Sequence, residues 1–337
     1  MAGSMRMVSV GRHRLAATVL GEGAPAVVIE PSFGGCAEDW TEIAETLSAE
    51  TTVVLYDRVP YGASSAARDA RTPAAIAADL DGLLRELAVT GPLVLVGHSA
   101  GGIYVRAYAA AHLDRVAGLV LVESSHEGQR PVLDPLRSRR NKLDAALTIP
   151  AIIRESRQSR RGGDRWSVIR EFRTFNKVTA GQPPLPPGGL GDRPLVVLTC
   201  SPGNPAVPVP VWQGWHGLHQ DLAALSANSR HVVSPSDDHY LNFGDPGLVT
   251  ASIRDVVRCA RSGESLASLP DLASVVAPSA GVPSPDALSP DFRGAAILGP
   301  GVPSAAVPSP VVVSGPAVPD PAVPGPVVPS AGASDAD

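Results

Sequence analysis

Apolar positions over the first 260 or so residues fall into short runs separated by stretches with helical spacing. Runs at 15–20, 26–29, 52–56, 93–96, 116–122, 195–199 and 231–233 predict strands. Between most of them the apolar residues recur on one helical face, which predicts helices over 40–48, 73–87, 103–112, 219–226 and 246–259. Strand alternating with helix predicts βαβ units, and so an α/β fold with a mostly parallel central sheet and helices on both faces. The alternation breaks over 127–192. That stretch is long, arginine-rich and helical in places, and it closes on Pro183-Pro184-Leu185-Pro186-Pro187. An insertion of that size between two strands predicts a lid over a site. From residue 263 the chain turns to Pro, Ala, Val, Ser and Gly, with repeated Val-Pro and Ser-Pro steps that block helix and sheet alike. The expected organisation is a core of 1–126 and 193–262, a helical lid of 127–192 and a disordered Pro-rich tail of 263–337.

One strand ends in chemistry. Leu93-Val94-Leu95-Val96 runs into Gly97-His98-Ser99-Ala100-Gly101, and helix-compatible residues follow at once. Strand, Gly-x-Ser-x-Gly turn and helix together predict a nucleophile elbow, with Ser99 on a strained turn and its hydroxyl at the tip. Ser99 then stands at a helix N-terminus, where free N–H groups favour developing negative charge. Glycine is expected at 97 and 101 because a Cβ there would strike the neighbouring strand or helix.

Composition narrows the setting. The 337-residue chain has a net charge of −5, and seven acids against Arg293 lie from Glu264 onward, so the remainder is close to neutral. No basic surface for nucleic acid is expected. Cys36, Cys200 and Cys259 have no paired spacing, which predicts neither a disulfide framework nor a zinc site and fits a reducing compartment. The first ten residues lack the apolar core of a signal peptide and no stretch suits a membrane span, so a cytoplasmic location is expected.

Five segments together resemble α/β-hydrolase-fold serine hydrolases of the small esterase and proline-iminopeptidase-like kind, over about residues 8–260. Residues 8–23, closing on Gly21-Glu22-Gly23, are similar to the family's first hairpin. Residues 27–35, Val-Val-Ile-Glu-Pro-Ser-Phe-Gly-Gly, with Asp39-Trp40, look like its oxyanion loop, although Pro31 and Ser32 stand where His-Gly is usual. Residues 56–64 look like its Asp-Arg-x-Gly-x-Gly-x-Ser loop, with Pro60 in place of a glycine. The elbow is the fourth segment. Asp237-Asp238-His239-Tyr240 is the fifth, where the family carries its catalytic histidine.

The resemblance implies an α/β-hydrolase fold with a lid inserted after the sixth strand, Ser99 as nucleophile and His239 as base. It implies oxyanion donors in the N–H groups of Ala100 and Phe33, and a substrate contact surface including Ser32, Gly34, His98 and Tyr240. In many relatives the acid follows the strand after the lid. Here that place, 199–204, reads Thr-Cys-Ser-Pro-Gly-Asn, and Asn204 would orient a histidine without balancing its charge. Glu123 closes the apolar run 116–122 on the edge where sites form in such sheets, and is assigned as the acid, with Asp237, Asp238 or an absent acid as alternatives. His112 is expected to cap a helix. His216 and His219 are three apart without a third ligand, so neither a metal nor a cofactor is expected. His13, His126 and His231 belong to no constellation.

The implied reaction is cleavage of a carboxylic ester, thioester or lactone in a small acyl substrate. Epoxide hydrolase and dehalogenase relatives carry Asp where this chain has Ser99. The alternatives are an acyltransferase, cyclase or lyase on the same fold, or a binding protein on that scaffold. Any partner for the tail is unknown.

Overall fold

The computed structural model of the chain describes residues 3–136, 165–181, 183–203 and 207–272. Eight strands are described: β1 Arg6–Val10, β2 His13–Leu20, β3 Ala26–Glu30, β4 Val53–Tyr56, β5 Leu93–His98, β6 Val116–Val122, β7 Leu195–Thr199 and β8 Ser229–Val233. They form one sheet in the order β1-β2-β4-β3-β5-β6-β7-β8. The β1–β2 and β2–β4 pairs are antiparallel, and every pair from β4 to β8 is parallel. β3, β4, β5 and β7 are buried along their whole length, as strands covered on both faces must be.

Alternation along these strands sorts their side chains into two cores. Val28, Val54, Leu95, Leu119 and Val197 face one cluster, which takes Leu80, Leu83 and Leu84 of α2 (Pro73–Glu86) and Val105 and Tyr108 of α3 (Ala100–Ala111). Val27, Val53, Val94, Val120 and Val196 face the other, which takes Ile43 and Leu47 of α1 (Thr41–Leu47) and Val249, Ile253 and Val256 of the last helix, Pro246–Ser262. The period of two therefore builds helix, sheet and helix layers from a single set of valine and leucine runs.

Local signals set the helix ends. The Thr72 hydroxyl accepts from Ala75 N–H at 3.1 Å ahead of Pro73, and Asp245 accepts from Leu248 N–H at 3.2 Å ahead of Pro246. The other α-helices among the described residues are α4 Gln129–Leu133, α5 Arg165–Val178, α6 Val209–Ala223 and α7 Leu241–Gly244, which makes Pro246–Ser262 α8. α6 starts ten residues earlier than its apolar spacing predicts, because Pro210 falls in its first turn, where proline is tolerated.

The order reverses at β3: β4 lies to one side of it and β5 to the other. At such a switch point the loops leaving the strand ends part and open a crevice. The loop after β3 and the Ser99 turn after β5 both lie there.

The expected tail begins too early. Leu266, Leu269 and Leu272 are buried in the second core. Asn228 Oδ1 accepts Leu266 N–H at 2.8 Å, and the Arg230 guanidinium donates to the carbonyls of Leu266, Leu269 (3.1 Å) and Pro270 (3.0 Å). Leucines at three-residue spacing dock on β8 despite their Pro- and Ser-rich surroundings. The rest of the expected tail, 273–337, lies outside the described residues, as does 137–164 of the expected lid. Among the described residues no helix is long and apolar enough to cross a membrane.

Candidate active site

Ser99 sits between β5 and α3 with φ 53° and ψ −119°, a region costly for a residue with a side chain. The surroundings over-determine it. Ser99 N–H donates to Val122 O at 3.0 Å, and Ser99 O accepts from Ser125 N–H at 2.8 Å. A Cβ on Gly97 would lie 2.6 Å from Gly102 Cα, and one on Gly101 would lie 2.2 Å from Glu30 O, so the turn closes only with glycine at both places. Ala100 opens α3, where the N–H groups of the first turn lack intrahelical acceptors.

Glu123 repeats this geometry one strand over. It follows the last residue of β6, has φ 44°, is fully buried, and its N–H donates to Leu198 O at 2.9 Å. His239 Nδ1–H donates to its Oε2 at 3.1 Å, Trp215 Nε1–H to the same oxygen at 3.1 Å, and Cys200 N–H to Oε1 at 2.8 Å. Burial pushes this carboxyl toward its neutral form, but the His239 bond, the nearby His219 and the Cys200 N–H outweigh it and bring the pKa down to about 2. Asp237 and Asp238 are exposed, and Asp238 accepts from Tyr240 N–H at 2.8 Å. Asn204 lies outside the described residues.

His239 precedes α7, with its ring 5.2 Å from that of His98 and 5.4 Å from that of Tyr240. His98 Nε2–H donates to the His239 carbonyl at 3.0 Å, so the residue before the serine holds the loop that carries the imidazole. Burial lowers the His98 pKa to about 3 and keeps that ring neutral. Behind Glu123 runs a second polar chain. His219 Nε2–H donates to Ser124 O at 2.9 Å, which leaves its Nδ1 to accept the Thr199 hydroxyl at 2.5 Å; Thr199 in turn accepts from His231 Nε2–H at 2.6 Å. Burial lowers His219 to about 4 and His231 to about 3, consistent with neutral rings. These histidines and Trp215 have no family motif to mark them; the sequence signal for Trp215 and His219 is their four-residue spacing on the buried face of α6, and His231 lies on β8.

The loop after β3 is held by the Asp57-Arg58 pair. Asp57 accepts from Ala37 N–H at 2.9 Å and Ala63 N–H at 2.8 Å. Arg58 is fully buried and donates to Pro31 O and Ser32 O, each at 3.0 Å, to Glu30, and from Nε to Glu171 of α5 at 3.1 Å. Tyr104 of α3 also donates to Glu171, at 2.9 Å. Gly35 N–H closes a turn on Ser32 O at 3.1 Å, with Gly34 at φ 78°. Ser32 is buried, while Phe33, Gly34 and Tyr240 are half-buried. The Pro31-Ser32 departure is thus accommodated by a guanidinium gripping both carbonyls. A separate cavity of about 420 Å³ lies beside β2 and the start of α1, lined by Ala17, Cys36, Glu38 and Thr41 among others, and touches none of Ser99, Glu123 and His239. Among the described residues no group of three or more His, Cys, Asp or Glu side chains is arranged to hold a metal ion.

A family model described as alpha/beta hydrolase fold matches residues 25–186. The uncharacterized protein YqjL of Bacillus subtilis is 24% identical over 238 residues, 70% of this chain and 85% of that protein. A protein named epoxide hydrolase from Caballeronia sordidicola is 28% identical over 209 residues, 55% of this chain and 63% of that protein. The solved structure of a thermophilic esterase from Thermogutta terrifontis superposes with a TM-score of 0.56 at 24% identity, covering 77% of this chain and all of that one.

Proposed function

On the α/β-hydrolase fold that this chain adopts, we propose a serine hydrolase that cleaves a carboxylic ester, thioester or lactone through an acyl-enzyme on Ser99. The observation that carries this reading is the buried Glu123–His239 hydrogen bond beside a serine held at positive φ. Glu123 fixes the tautomer with the proton on Nδ1, which leaves Nε2 to accept a proton. His239 takes the Ser99 hydroxyl proton as Oγ bonds to the substrate carbonyl carbon. The oxyanion is held by the N–H groups of Ala100 and Phe33, each contributing about 3 kcal/mol to barrier lowering. The bond to the leaving group breaks as His239 returns the proton to it. Water then repeats the two steps and releases the acid, with the proton back on Ser99.

The likeness to a protein named epoxide hydrolase favours a second reading, opening of an epoxide. Ser99 weighs against it. A serine that opened an epoxide would be left as an ether, which water and a histidine do not cleave, whereas an aspartate would form a hydrolysable ester.

Labelling with a fluorophosphonate, followed by peptide mapping, tests the proposal. The expected result is an adduct on Ser99, turnover of short acyl esters, and loss of both in Ser99→Ala and of turnover in His239→Ala. Labelling without hydrolysis of any ester would favour an acyltransferase, cyclase or lyase. No labelling would leave a binding scaffold as the better reading.

A further inference from the structure

The acyl-transfer reading leaves open which acyl group the site takes, and the distribution of aromatic rings bears on it. Aromatic residues make up only 4% of the chain, with 5 phenylalanines. Three of those phenylalanines converge on one place. Phe33, in the loop after β3, meets Phe172 of α5 at 6.0 Å and 71° and Phe175 at 6.3 Å and 41°, and on its other side meets Tyr61 at 6.0 Å and 72°. Phe33 and Phe175 pack against Ala100, the residue after the nucleophile, and against Ile103 and Tyr104. Ring pairs of this kind usually close a core, yet Phe33, Phe172 and Phe175 are each only half-buried. The rings therefore keep exposed surface next to the cluster that holds Ala100, the residue following Ser99.

The wall is anchored from behind. Glu171, next to Phe172, is bound by Arg58 at 3.1 Å and Tyr104 at 2.9 Å, which ties the ring-bearing stretch of α5 to α3 and to the loop after β4. Direction follows from the proton path. The leaving group must lie against His239, whose ring keeps company with His98 and Tyr240. An acyl group turned away from His239 would run past the proposed Phe33 N–H donor toward the phenylalanines.

We propose that the site selects acyl groups ending in an aryl ring, as in esters of arylacetic and arylpropanoic acids, over short straight-chain acyl groups. An aryl ring stacks edge-to-face on Phe33, Phe172 and Phe175, and each such contact is worth about two- to tenfold in kcat/KM.

The experiment compares 4-nitrophenyl acetate, butyrate, octanoate, phenylacetate and 3-phenylpropanoate with the full chain, and sets benzyl acetate against ethyl acetate to probe the leaving side. Phenylacetate or phenylpropanoate should exceed acetate and butyrate by about tenfold or more in kcat/KM, and that ratio should collapse toward one in Phe172→Ala/Phe175→Ala. A Phe175→Leu variant, which keeps apolar volume, should lower the ratio without loss of fold by circular dichroism. Equal rates across the acyl series, an octanoate preference, an unchanged ratio in the double variant, or a gain for benzyl acetate in place of the aryl acyl esters would overturn the inference while leaving the acyl-transfer reading standing. Failure to turn over any ester, with no adduct on Ser99, would overturn both.

Discussion

A carboxyl stripped of water is ordinarily driven to its neutral form, and Glu123 goes the other way because His239 Nδ1–H bonds it, His219 lies close and Cys200 N–H donates to it; Trp215 Nε1–H donates to the same carboxylate. Trp215→Phe keeps the ring and removes one donor. A hydrogen bond to a charged group contributes about 1.5–3 kcal/mol, and kcat/KM should fall by about tenfold or more with little change in melting temperature; an unchanged rate would mean that the other two donors suffice. The histidines give a second prediction. His98, His219 and His231 have folded pKa values of about 3, 4 and 3, lowered by burial from the ordinary value near 6.5. A lowered folded pKa means the unfolded chain binds more protons, so the stability due to these rings is complete above about pH 6.5 and is lost as pH falls toward 3–4. Urea midpoints measured from pH 7 to 4.5 should decline steadily; a flat profile would contradict neutral rings. At this scale the candidates Ser99, Glu123 and His239 stand out in the sequence because each lies at an abrupt change of pattern, the end of an apolar run or the start of a helix. Trp215 and Thr199 do not, because a tryptophan on a helix and a threonine ending a strand look like ordinary core.

Among the elements, α5 is joined to the sheet by a buried ion pair. Arg58 lies between Glu171 of α5 and Glu30 of β3, all fully buried. Burial raises the Glu30 pKa despite the guanidinium beside it. Arg58→Ala strands two carboxylates without their cation and should destabilise by about 3–5 kcal/mol in urea unfolding. Glu171→Gln should cost less, since Arg58 keeps Glu30; equal losses would mean that the pair acts only through packing. The Asp57-Arg58 dipeptide was visible as part of a loop pattern, but its partner on α5 was not, because the pairing joins residues 113 apart in the chain and no periodicity records it. The late reading of α6 has a similar origin. Pro208 and Pro210 break the apolar pattern although they suit a helix start.

Across the molecule, the strand runs and the helical stretches between them were enough to anticipate a parallel sheet with two helical layers, because buried central strands leave an unmistakable record of Val and Leu. The end of the fold was harder to see. Chains cut after residue 262 and after residue 272 should differ: only the longer keeps Leu266, Leu269 and Leu272 in the core. A buried leucine contributes about 1.5–3 kcal/mol, so the shorter chain should unfold at distinctly lower urea, whereas equal midpoints would show that the docked leucines contribute nothing.

If Glu123 is the acid of the proposed hydrolase, its placement has a consequence for how such a molecule can change. With Glu123 at the end of the strand beside Ser99, the described residues between β7 and α6 reach its carboxylate only through a main-chain N–H, from Cys200. Exchanges between Cys200 and α6 leave the Glu123 carboxylate in place, whereas Trp215 of α6 has to stay as its donor. In the proposed hydrolase the length of that loop can therefore change while Ser99 and Glu123 stay anchored at the ends of two neighbouring strands, β5 and β6.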